Sequence, residues 1–143
     1  MADRVKVKSA VFLILEKEGK YLFSQRKNTG YRDGFYSLPS GHVDVGEMPT
    51  EAMVREAKEE IGIECKEEDL VCAHALFERD NYADYYFTLG SYEGEPENKE
   101  PEKCGEIRWA TLEELEGRIV EKVLQALRAF EEGILFSQIE KTD

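Results

Sequence analysis

Glu56, Glu59 and Glu60 crowd into a stretch whose punctuation reads as a short helix. Pro49 suits a first turn and Gly62 a C-terminal stop, which leaves about three turns between them. At about 100° per residue the three glutamates share an arc roughly 100° wide, and Met53, Val54, Ala57 and Ile61 fill the adjoining one. Like charges at this spacing destabilise a helix by about 0.2–0.5 kcal/mol per pair, and placing them at a core edge adds a desolvation cost. A hard cation reverses both penalties. Mg²⁺ and Mn²⁺ favour carboxylate oxygens and water, so three convergent glutamates offer a divalent-metal site with positions left for phosphate oxygens. A plain solvated acidic face accounts for the same pattern in a chain with 35% charged residues, and helix geometry by itself does not separate the two.

The elements that must position such a helix follow from composition and pattern. The 143 residues, 41% of them hydrophobic, suffice for one domain with a substantial core, 1–143, and are too few for two ordinary ones. A formal charge of −12 opposes broad adhesion to nucleic acid or an anionic membrane, so a phosphate-bearing ligand needs a cation bridge. Cys65, Cys72 and Cys104 are odd in number and contain no Cys-x-x-Cys pair, which predicts buried or half-buried thiols rather than a disulfide framework or zinc knuckle. The longest apolar run, Ala10 to Leu15, is too short for a signal core or a membrane span, and a reducing cytoplasmic setting is the expectation.

Val5, Val7, Ser9 and Val11 alternate with Lys6, Lys8 and Ala10 before an apolar run, the pattern of a strand that becomes buried on both faces. Glu18-Gly19-Lys20 reads as a turn into a return strand, Tyr21 to Arg26, followed by a polar loop to Gly34. Phe35 to Leu38 is a short strand that delivers the chain through Ser40-Gly41-His42 to the acidic helix. Leu70 to Phe77 and Tyr82 to Tyr92 read as strands around a turn at Arg79-Asp80-Asn81. The stretch Glu93 to Glu106 is a polar loop, and Ile107 to Ala110 the last strand. Thr111 and Glu114 have the spacing of a capping box for a short helix to Glu116. A second amphipathic helix carries Ile119, Val120, Val123, Leu124, Leu127 and Phe130 and ends at Gly133. The series predicts an α/β (α+β) fold, a mixed sheet flanked by helices.

Gly41, five residues, Glu47, seven residues and then Arg55-Glu56-Ala57-Lys58-Glu59-Glu60-Ile61-Gly62-Ile63 resemble the Nudix box. That signature is Gly-x5-Glu-x7-Arg-Glu-hydrophobic-x-Glu-Glu-x-Gly-hydrophobic; every fixed position is met, the small Ala57 being the mildest departure. Leu38-Pro39-Ser40-Gly41-His42 is similar to the approach segment of many members, with Ser40 where glycine is frequent. The chain is thereby identified as similar to the small, single-domain, MutT-like Nudix hydrolases. The resemblance implies a mixed β-sheet between helices, a loop–helix–loop catalytic motif, and hydrolysis of a nucleoside diphosphate linked to another group. Carried over position by position, Glu56, Glu59 and Glu60 correspond to the metal ligands, with the Gly41 carbonyl a further candidate and Mg²⁺ or Mn²⁺ the cofactor. Glu56 is a candidate proton acceptor, the base varies within the family, and Glu100 or Glu102 is a candidate additional acid.

A guanidinium can hold carboxylates in a fixed fork, so Arg55 and Glu47 read chiefly as an orienting pair. Arg26 and His42 flank the approach to the box, where each is either a phosphate contact or an ordinary surface or loop residue. His74 reads as a satisfied sheet residue. Phe35, Tyr36, Tyr82 and Tyr85 are available to stack a nucleobase, although most aromatics in a domain of this size belong to the core. Asn98 to Cys104 with Trp109 resembles a tract of some MutT-like nucleoside triphosphatases; the alternative is a solvated loop followed by a core tryptophan. The leading expectation is conversion of a nucleoside triphosphate, oxidised forms included, to the monophosphate and pyrophosphate by a monomer or homodimer. ADP-ribose or a nucleotide sugar is the enzymatic alternative, and a non-catalytic nucleotide-sensing module the alternative of another class.

Overall fold

The computed structural model describes residues 2–142. Its elements run β1 (Lys8–Ile14), β2 (Glu16–Lys17), β3 (Lys20–Arg26), β4 (Tyr36–Ser37), β5 (Ser40–His42), α1 (Pro49–Ile61), β6 (Leu70–Glu78), β7 (Tyr82–Leu89), β8 (Cys104–Ala110), α2 (Glu121–Glu131) and β9 (Phe136–Ile139), with a 3₁₀ turn at Glu67–Asp69. A five-stranded sheet has the order β5-β1-β7-β6-β9, and a second sheet has the order β2-β3-β4 with β8 against β3. The first is mixed: β1 is parallel to β7 and antiparallel to β5, and β6 is antiparallel to β7 and parallel to β9.

The alternation of β1 explains the layering. Successive side chains leave a strand on opposite faces. Val11, Leu13 and Leu15 join Ala52, Met53, Ala57 and Ile61 of α1 in one apolar cluster, while Ala10, Phe12 and Ile14 join Val123, Ala126 and Leu127 of α2 in another. The strand is thus buried on both faces, as its apolar run predicts, and α1 and α2 cover opposite sides.

Several boundaries differ from the sequence reading. The first strand starts at Lys8 because its partner β7 starts at Tyr82, so the alternation from Val5 has no neighbour to pair with, and Val5 is exposed. The linker Ser40-Gly41-His42 is itself a strand, with Ala10 opposite His42 and Phe12 opposite Ser40. The Thr111–Glu114 box does form, with Thr111 N donating to Glu114 Oε1 at 3.1 Å and Glu114 N to Thr111 Oγ1 at 3.2 Å. The chain beyond Thr111 forms a series of turns rather than a helix, since so short a segment gains too few hydrogen bonds to offset nucleation. Ile107 to Ala110 is not the last strand: β8 begins earlier, at Cys104, and β9 adds to the edge of the five-stranded sheet.

His74 is fully enclosed, as expected, with Nδ1 and Nε2 each 2.8 Å from Ile134 O and Ser137 Oγ, so it ties β6 to the segment entering β9. Tyr36 lies in the core and has no face for a ligand. Trp109 is only partly buried. Cys104 is buried and Cys65 half-buried, but Cys72 is exposed, because β6 directs it outward. Among the described residues no helix is long and apolar enough to cross a membrane.

Candidate active site

Helix α1 starts and stops as its sequence dictates. Pro49 occupies the first turn, Glu51 Oε1 accepts from Met48 N at 2.8 Å, and Gly62 turns left-handed at φ 72° while its N–H bonds Lys58 O at 3.1 Å. Burial of Met53, Ala57 and Ile61 then fixes the rotation of the helix, and the adjoining arc turns Glu56, Glu59 and Glu60 into one cavity. This cavity, about 420 Å³, also receives Arg26, Ser40, Gly41, His42, Glu100 and Lys103. Of the candidate site residues in the box and its approach, only Glu47 and Arg55 do not line it, and those two stand directly behind; none of the aromatics Phe35, Tyr36, Tyr82 and Tyr85 lines it.

Arg55 is the hub of that support. Its Nε donates to Glu47 Oε2 at 2.7 Å and its Nη2 to Glu47 Oε1 at 2.9 Å, a two-pronged clamp. Nη2 also reaches His42 O at 3.0 Å, and Nη1 lies 2.8 Å from Glu56 Oε1 and 3.2 Å from Glu59 Oε2. One guanidinium therefore joins the loop before the helix, the end of β5 and two of the three box glutamates. It holds the Glu47 carboxyl down to about 2, well below the usual carboxylate range. Replacing Arg55 by lysine keeps the charge and loses the fork, so Arg55→Lys is expected to lower kcat by about ten- to a hundredfold. A melting curve close to wild type would accompany that loss.

Glu60 is the most enclosed of the three. Ser40 N donates to its Oε2 at 3.0 Å, and Ser24 Oγ lies 3.4 Å from Oε1. Burial, with Glu56 and Glu100 nearby, pushes its carboxyl up to about 8; burial also raises Glu56, against the opposing pull of Arg55. Gly41 packs directly on this group, since a Cβ there would overlap the Glu56 carboxyl. Enclosed carboxylates held close together and rich in oxygen donors fit a hard divalent cation. Among the described residues no three acidic, histidine or cysteine side chains already converge as a metal cage; Arg55 instead supplies the positive charge between Glu56 and Glu59.

A raised carboxyl carries a stability cost whose sign is set by linkage. Glu60 binds a proton in the fold up to about pH 8 but titrates near 4.5 unfolded, so the fold loses stability as pH rises through that window. Asp84, raised to about 6 by burial, acts in the same direction at the lower end. Melts in chelator are therefore expected to fall from pH 6 to pH 8 by at most about 1.4 kcal/mol per pH unit, the part of Glu60 that faces the cavity holding the figure below that limit. Glu60→Gln flattens this segment, and Mg²⁺ restores the wild type at pH 8; an unchanged slope in Glu60→Gln would contradict the assignment.

Sequence reasoning missed Ser24, whose position has no signature of its own, and gave Lys103 no separate role within the Asn98 to Cys104 tract. Glu100 arrives because its tract is fastened at both sides: Glu97 N and Lys99 N bond Ile61 O and Glu60 O at 3.0 and 3.1 Å, and Lys27 N bonds Lys103 O at 3.0 Å. The tract is thus a fastened loop, although Lys99, Pro101, Glu102 and Lys103 stay exposed. Glu102 does not line the cavity, and its carbonyl accepts from Asn28 Nδ2 at 3.1 Å. Arg26 is aimed by Nε to Tyr31 O at 2.7 Å and by Nη2 to Thr29 Oγ1 at 3.1 Å. His42 stacks on Tyr82, with Nε2 3.2 Å from its hydroxyl, and burial, with Lys8 and Lys122 adding, lowers its pKa so that the ring is neutral at pH 7.

A mixed sheet between two helices, with an acidic helix facing basic and hydroxyl groups across a cleft, makes this an α+β protein of the architecture the box implies. The chain belongs to the NUDIX domain family, whose model matches residues 5–130. It is 42% identical over 71 residues to an ADP-ribose pyrophosphatase of Methanocaldococcus jannaschii, a match spanning 50% of this chain and 41% of the relative. It is 30% identical over 102 residues to an 8-oxo-dGTP diphosphatase of Escherichia coli, spanning 66% of this chain and 74% of the relative. The chain spans about half the length of several curated relatives it matches, 41%, 57% and 52%. In fold it is similar to the MutT NUDIX hydrolase of Burkholderia pseudomallei, with TM-score 0.77, 22% identity and coverage of 86% of this chain and 97% of that one.

Proposed function

We propose that the chain hydrolyses a nucleoside triphosphate to the monophosphate and pyrophosphate, using Mg²⁺ or Mn²⁺ held by Glu56, Glu59, Glu60 and the Gly41 carbonyl. The observation that carries this reading is one cavity in which the box glutamates face Arg26, His42 and Lys103, so that oxygen donors for a cation meet N–H donors for phosphate. When bound, the divalent ion would neutralise phosphate charge, polarise the attacked phosphorus and lower the pKa of a water. The chain itself supplies position. Arg26, already aimed by Tyr31 and Thr29, directs its guanidinium at a phosphate oxygen, and neutral His42 contributes a hydrogen bond rather than a charge. Water adds to phosphorus as the bridging P–O bond breaks, pyrophosphate leaves, and the water proton passes to Glu56, or to Glu59 if that carboxylate is the base. Arg55 and Glu47 keep the two carboxylates where that transfer needs them.

The identity to an ADP-ribose pyrophosphatase supports a second reading, hydrolysis of ADP-ribose or a nucleotide sugar at the same site. Three free thiols suit a reducing, cytoplasmic setting for either substrate. The test is kcat/KM across nucleoside triphosphates, ADP-ribose and nucleotide sugars with Mg²⁺ and with Mn²⁺. The proposal expects a triphosphate to rank first. ADP-ribose ranking first would move the assignment to the second reading, and tight nucleotide binding with no phosphate release at any metal concentration would make the chain a sensing module.

A further inference from the structure

A second cavity, about 150 Å³, opens from the first across Arg26, Ser40, Gly41 and His42. Its walls are Phe12, Tyr31, Tyr82, Val120 and Val123, and Lys122 of α2 joins them as a charged lining residue besides the shared Arg26. That volume suits a single ring rather than a whole nucleotide. Lys122 is only 9% exposed, with Nζ 3.0 Å from Asp84 Oδ2, 4.2 Å from the Tyr82 ring centre and 5.6 Å from that of Phe12. Among the described residues Asp84 is its one ion-pair partner, and an ammonium carries three N–H donors, so donors remain for a ligand.

This placement costs the fold. Asp84 is 1% exposed and its Oδ2 meets Lys122 Nζ at 3.0 Å, while among the described residues Asp84 Oδ1, Glu78 Oε2 and the Tyr86 hydroxyl have no hydrogen-bond partner. Lys122 also stands in the first turn of α2, where the helix dipole disfavours a cation. Apolar residues in place of a buried ion pair are often neutral or stabilising, so packing gives no account of the pair. A ligand does: an ammonium fixed by Asp84 at the floor of an aromatic cleft donates to an acceptor on a flat ring and leaves a ring amino group at that position facing a cation.

We propose that Lys122, positioned by Asp84, is a specificity-determining residue that selects a ring carrying a carbonyl over the same ring carrying an amino group. The inference rests on the nucleotide reading of the adjoining site and names the class of base it favours. Its test is binding, by calorimetry without metal, of the monophosphate pairs UMP and CMP, and IMP and AMP, which differ in that substituent. In the wild type the carbonyl member of each pair is expected to bind at least about tenfold tighter. Lys122→Met alone strands the Asp84 charge, so Asp84→Asn/Lys122→Met is the working variant; its melting curve reports folding. In that variant the ratio is expected to fall within about twofold, through weaker binding of the carbonyl member. A wild type without the preference, a preference that survives in the double variant, or equal weakening of both members would overturn the proposal, the last making Lys122 a phosphate contact. Hydrolysis of the triphosphates, measured in parallel, keeps the two readings apart: selective binding without turnover removes the hydrolase assignment and leaves this one standing.

Discussion

Glu59→Gln and Glu60→Gln, made singly, are each expected to lower kcat by about a thousandfold while the chain still folds. Each replacement keeps side-chain volume and removes one anionic oxygen donor from the cavity. Glu59 is largely exposed and meets Arg55 at 3.2 Å, a contact of small energetic weight at the surface, so its loss leaves the melting temperature nearly unchanged. Glu60 is enclosed, and the amide removes a charge that burial already opposes, so that variant melts higher than wild type in chelator. Activity and stability therefore move in opposite directions in Glu60→Gln, a combination that a merely structural carboxylate does not produce. Full turnover in either purified variant would remove the glutamates from the chemistry.

Gly41→Ala is expected to cost about a hundredfold in kcat/KM from a single added methyl group. The added carbon would overlap the Glu56 carboxyl, and the backbone has little room to retreat because Gly41 sits in β5 opposite Val11. Arg55 pulls on the same carboxyl from the other side, so the side chain must swing out of the cavity. The cause is checked by a cycle: Gly41→Ala added to Glu56→Ala, where the obstructed group is absent, is expected to lower activity by less than about twofold further. A full additional hundredfold loss would place the role of Gly41 elsewhere, its carbonyl being the first alternative.

The part of the site that was legible in the sequence is the part held by local rules. Pro49 and Gly62 bound α1 as their chemistry requires, and the 3.6-residue period placed Met53, Ala57 and Ile61 inside with the glutamates beside them. The Arg55–Glu47 clamp followed from charge and spacing within one loop and helix. Pairing across the sheet was not legible in the same way. Ser40-Gly41-His42 has no strand-like composition and is a strand because β1 offers it an edge, and the alternation at Val5 fails because nothing lies beside it. Phe136–Ile139 likewise takes its conformation from β6. Lys122 was invisible for a related reason. On an amphipathic helix a lysine between Val120 and Val123 reads as a solvent position, and only the fold brings Asp84 of β7 to meet it. Carboxylates one turn apart announce themselves, whereas an ion pair 38 positions apart in the chain, from Asp84 to Lys122, does not.

The most direct test of the central claim is product analysis by phosphorus NMR of the purified chain with nucleoside triphosphates and Mg²⁺, repeated with chelator and with Glu59→Gln. Monophosphate and pyrophosphate in equal amounts, absent in chelator and in the variant, are the predicted result. Release of orthophosphate in their place, or turnover that persists in chelator, would contradict it.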